Sequence, residues 1–201
     1  MKSALGAVAL SATLVSGSPA LADWQPVERI QTYAVSGVTP FELYQSIGEN
    51  GPQVGIGRAI AYTDFELLWS RDYVPGADGS CTLQRARPSL TITYRLPRPT
   101  GALAEPTRSL WQTFIDGVET HERMHGVFIR EMTEKIEAVS VGLRAEGDPN
   151  CTKVREILQG HLARLSNEQR QRGRDFDRLE MSEGGNVHQL VLSFVNGDRL
   201  D

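Results

Sequence analysis

The apolar residues change their spacing about half-way along the chain. Before residue 100 they alternate, as strands require. Arg29 to Val35 is rich in β-formers, with Ile30, Thr32, Tyr33 and Val35. Ile60 to Trp69 carries Ala61, Tyr62, Phe65 and Leu67 and reads as a second strand. Cys81 to Leu96 is the cleanest case. Leu90, Ile92 and Tyr94 fall on one face, and Thr91, Thr93 and Arg95 on the other. Asp78-Gly79 marks a turn before it, and Pro97, Pro99 and Gly101 end it. Between the first two strands, Thr39-Pro40 offers an N-cap and a first helical residue, predicting a short helix that stops at the Gly48 to Gly51 turn.

After residue 100 the period lengthens to three and four. Ser109-x-x-Gln112 resembles a capping box and predicts a helix running to about Arg144. Its stripe includes Phe114, Val118, His121, His125, Phe128 and Met132. Gly147-Asp148-Pro149 breaks it, and a second helix is expected from Cys151 to Leu179, ended by Gly184-Gly185. A last strand is expected from Val187 to Val195, with Leu190, Leu192 and Phe194 in one row and His188 beside them. The predicted class is α+β: a small, mainly antiparallel sheet beside a long antiparallel helical hairpin.

The first residues do not fit this domain. A positive start, Met1-Lys2, precedes an apolar run to about Val15, then Ser16-Gly17-Ser18-Pro19 and Ala20-Leu21-Ala22. This is the pattern of a secretory signal peptide cut after Ala22, and the run is too short to span a bilayer. Residues 23–201 are then expected as a single domain in the periplasm or outside a bacterium, without a stable membrane span. The formal charge is −4, so nothing in the composition suggests a nucleic-acid partner. In an oxidising compartment Cys81 and Cys151, the two cysteines, are expected to pair. Closing so long a loop contributes roughly 4 kcal/mol in the chain-entropy account.

Chemistry concentrates in the first long helix, where residues 121–125 read H-E-x-x-H. Positions i and i+4 lie one turn apart on one helix face, so His121 and His125 can share one zinc. Glu122 stands beside them, placed to serve as general base. A catalytic zinc keeps three protein ligands and one open position. The hairpin turn near Asp148 sets residue 123 opposite about residue 173. His161 is then too near the turn, by about 18 Å at 1.5 Å per residue. Asp175, Asp177 and Glu180 lie at the right level, Glu183 is just beyond, and His188 lies past the ruler's reach.

The order of Cys81, Trp111, His121-Glu122-x-x-His125, Cys151 and Phe176-Asp177 resembles the bacterial predicted secreted zinc-dependent proteases catalogued as domain of unknown function 922. That resemblance implies an exported zinc hydrolase acting on peptides or proteins. Such relatives often close with Tyr-Asp-x-x-Thr-x-His-Gly. Here Glu180 stands at the Thr position and Ser182 at the His position, which implies that another group completes the zinc set. Glu180 is the expected third ligand, with Asp177, three residues earlier on the same face, accepting the outer N–H of a ligating histidine. Asp177 itself, Glu183 and His188 are the alternatives. A different reading is an exported binding or envelope-associated module that keeps the helix without turnover.

Overall fold

A computed structural model of the chain describes residues 24–197, and the expected signal peptide lies outside them. Strand β1 spans Val27–Val35, helix α1 Pro40–Asn50, and the short pair β2 and β3 Gln53–Val54 and Gly57–Arg58. Two long strands follow, β4 at Tyr62–Pro75 and β5 at Cys81–Pro99. Helix α2 covers Thr107–Ser140, strand β6 Arg144–Ala145, helix α3 Thr152–Met181 and helix α4 Asn186–Asn196.

The sheet runs β1-β5-β4, with β6 also paired to β5. β4 and β5 form an antiparallel ribbon from Tyr62↔Arg95 to Pro75↔Cys81, with a register shift at Asp72/Tyr73. The turn expected at Asp78-Gly79 joins them, and Gly79 takes a positive φ of 76° there. β1 adds to the other side of β5 in parallel, from Val27↔Thr91 to Val35↔Pro99. Alternation locates strands but says nothing of their order, so this parallel pair is new information.

Leu90, Ile92, Tyr94 and Leu96 point inward from β5, as their alternation requires. They meet Trp111, Phe114, Val118 and Ile129 of α2 in the main core. A second core joins Leu83 and Ala145 to Val154 and Leu158. Within it, Cys81 and Cys151 form a disulfide that ties β5 to the start of α3.

Two expectations are corrected. Residues 187–195 are helical, not a strand. Val187, Leu190, Val191, Phe194 and Val195 repeat at three and four; Val187 is buried and the other four pack on the core, while Leu192 of the supposed alternating face is exposed. Phe194 stacks on Phe114 at 4.6 Å, which the helical period places and the period of two does not. The start of α2 also differs. The helix begins at Thr107 after Pro106, so Ser109 lies inside its first turn and no side chain caps it. Glu105 instead accepts from the Ser109 amide at 3.3 Å and hydroxyl at 2.8 Å. The capping box that does form is Thr39 with Glu42, at the head of α1.

Candidate metal centre

The helical hairpin packs in the register its turn dictates. Gly173 of α3 lies against the His125 ring of α2, close to the predicted level. Arg172 pairs with Glu131 across the two helices. One turn further along α3, Phe176 stacks on the His121 ring at 4.7 Å and meets His125 edge-on at 5.6 Å. These aromatic contacts fix both imidazoles. They aim His121 Nε2 and His125 Nε2 at one point, 3.2 Å apart.

Asp177 completes the group. Its Oδ1 is 2.8 Å from His125 Nε2 and 3.3 Å from His121 Nε2. These are the donors among the described residues that converge closely enough to hold a metal ion. Three ligands at the zinc–nitrogen and zinc–oxygen distances of about 2.0–2.1 Å in tetrahedral array stand about 3.3 Å from one another. The observed spacings are of that size, and two imidazoles with one carboxylate are a donor set that suits zinc.

Glu180 is present at the site but stands further back. Its Oε2 is 3.9 Å from His121 Nδ1, the nitrogen facing away from Asp177. That Nδ1 is buried and has no hydrogen-bond partner. The Glu180 carboxylate is itself held by α4, because Asn186 Nδ2 donates to Oε1 at 2.7 Å. Asp177 thus occupies the place nearest both imidazoles, and Glu180 the place behind one of them.

Glu122 is buried, with 6 % of its surface exposed. Thr63, from β4, brings its hydroxyl to 2.5 Å from Oε2 and 3.0 Å from the Glu122 carbonyl. Burial pushes the Glu122 carboxyl above its ordinary range, and the Thr63 hydroxyl and the two imidazoles partly offset that push. The Asp177 carboxyl is held well below the usual range, since contact with both histidines outweighs its burial. Burial disfavours the charged His125 ring, but the Asp177 carboxylate overcomes this and raises its affinity for a proton.

The remaining candidates lie elsewhere. Asp175 bonds to Gln171 and Arg178 on the exposed side of α3. Glu183 is exposed beyond the helix end. His188 accepts from the Gly184 amide at 3.3 Å, closing the turn into α4. Neither His188 nor His161 belongs to the converging group. Sequence reasoning missed Thr63, Asn186 and the stacking role of Phe176. Thr63 carries no signal, being one hydroxyl among many in a strand. Asn186 lies between the Gly184-Gly185 break and the strand expected from Val187, so the sequence sets it on no element facing Glu180.

Residues 30–185 match the family described as bacterial protein of unknown function (DUF922). No curated protein and no solved structure matches the chain.

Proposed function

The chain belongs to that DUF922 family, and we propose that it is an exported zinc-dependent hydrolase, a metallopeptidase with Glu122 as general base. One observation carries this reading: three metal-donor atoms converge, and the residue next in sequence to His121 is a buried glutamate. His121 and His125 would hold the metal through Nε2, and Asp177 through Oδ1. When bound, zinc polarises a carbonyl and lowers the pKa of its water.

The protein's own groups do the rest. Glu122 takes a proton from the attacking water and passes it to the leaving amine. Thr63 holds Oε2 and so sets the direction of the carboxylate. Phe176 covers one face of His121 and keeps water from that side of the cluster. Glu180, braced by Asn186, would accept a hydrogen bond from His121 Nδ1–H, which keeps the proton on Nδ1 and leaves the Nε2 lone pair for the metal.

Export is part of the proposal. The disulfide supports it, because such bonds persist in oxidising compartments. Among the described residues no helix is long and apolar enough to cross a membrane. The test is zinc content together with reversible inhibition. The purified protein is expected to carry about one zinc per chain, to lose peptide hydrolysis on chelation, and to regain it with added zinc. His121→Ala or His125→Ala should release the metal. Full zinc content in both variants would place the ligands elsewhere.

A further inference from the structure

A cleft of about 640 Å³ opens directly from the cluster, with His121 and Glu180 in its wall. Its volume is that of a ligand site and not of a packing gap. One side is a single stripe of α2, with Thr113, Asp116, Gly117 and Thr120 leading up to His121. The other is a single stripe of α4, Asn186, Gln189, Leu190 and Ser193. Leu190 reaches so close to α2 that a Cβ at residue 117 would overlap it, so glycine there lets the two helices meet along the cleft floor.

The charge of this cleft is one-sided. Among the described residues no lysine or arginine lines it. Glu180 is engaged by Asn186 and faces His121. Asp116 is exposed, accepts one hydrogen bond from Gln112 at 2.8 Å, and forms no ion pair among the described residues. It stands five residues before His121, about 7.5 Å along the axis at 1.5 Å per residue. A long side chain starting beside the metal cluster spans that distance. Away from the first turn of α4, the helix walls have their amides engaged within the helices, so at the Asp116 end recognition falls to side chains.

We propose that this cleft is the specificity subsite of the peptidase and takes a basic side chain, lysine or arginine, from the residue next to the cleaved bond, with Asp116 as its carboxylate partner. The stem of that side chain lies along Leu190, and its cation reaches Asp116. The inference rests on the hydrolase reading, and the two can fail separately.

The experiment uses the full mature chain carrying Glu122→Gln, loaded with zinc, so that binding is read without turnover. The probes are fluorescent peptides differing only in Lys, norleucine or Glu at one scanned position. At one position the Lys peptide should bind more tightly than the norleucine peptide by about fivefold, the scale of a partly exposed ion pair. That preference should shrink with added salt. Asp116→Asn should bring the Lys-to-norleucine ratio near one, and Asp116→Lys should turn the preference toward the Glu peptide. Equal binding of all probes, no binding by any, or a preference for Lys that survives both substitutions would overturn the subsite. Wild type that cleaves peptides with no basic preference leaves the hydrolase standing and removes only this inference. A Lys preference that tracks Asp116 in a protein that never cleaves does the reverse.

Discussion

At the scale of single residues, the H-E-x-x-H pair and its glutamate were legible because helix geometry alone puts positions four apart on one face. The helix ruler also brought the acids of α3 to the correct level. The sequence points to Glu180 as the third ligand and Asp177 as the group behind a histidine, whereas the donors that converge are those of His121, His125 and Asp177; the two acids lie three residues apart on α3. The two make separable predictions. Asp177→Ala should abolish tight zinc binding, as loss of one of three ligands does. Glu180→Ala should weaken zinc by about 10- to 100-fold, and Asn186→Ala by less, because each acts through the His121 ring. Zinc competition titration against a chelator checks both; a larger loss in Glu180→Ala than in Asp177→Ala would exchange their roles. Thr63 belongs to the same scale. Thr63→Val should lower kcat about tenfold, roughly 1.4 kcal/mol, through a misdirected Glu122. Zinc content should not change, since Thr63 touches neither histidine. An unchanged kcat would remove Thr63 from the site.

Among elements, strands and long helices were recoverable wherever one period held for several turns or alternations. β5 and α2 are such cases, and their inward faces are those the pattern predicted. The segment of α4 failed because it is short. In eleven residues, Leu190, Leu192 and Phe194 imitate a strand as well as Leu190, Val191 and Phe194 imitate a helix. Packing against Trp111 and Phe114 decides the matter, and that contact is invisible locally. The head of α3 depends on Asp148, whose carboxylate accepts from the amides of Thr152 at 2.7 Å and Val154 at 3.0 Å. Burial alone would raise this carboxyl, but the amide contacts outweigh it and hold it below its ordinary value. A group depressed in the folded state stabilises above its unfolded pKa, and that contribution is lost as pH falls through the folded value. Asp148→Ala should therefore be less stable than wild type near neutrality, and the difference should shrink as pH drops below about 4. Urea midpoints across that range measure it. A difference that stays constant with pH would show that ionised Asp148 does not cap α3.

At the scale of the whole molecule, the sheet, the hairpin and α4 each carry part of the site. β4 delivers Thr63 to Glu122, α2 and α3 supply the donors, and α4 braces Glu180. The Cys81–Cys151 bridge joins sheet to hairpin at the far end, near the interhelical turn. Its pairing could be inferred from sequence because only two cysteines were present. The order of the strands could not, because pairing is settled between segments distant in the chain. Replacing both cysteines with alanine should cost about 2–5 kcal/mol in chemical unfolding. The isolated loss of stability should leave zinc stoichiometry intact below the unfolding transition, since neither sulfur lies in the cluster. Loss of zinc from protein that is still folded would tie the bridge to the metal centre instead. The central claim, hydrolysis with Glu122 as general base, is tested most directly by comparing peptide cleavage in wild type and Glu122→Gln at equal zinc occupancy. The account predicts one bound zinc in each and a fall in kcat of about 10²- to 10⁴-fold in the variant; equal cleavage by both, or none by either, would contradict it.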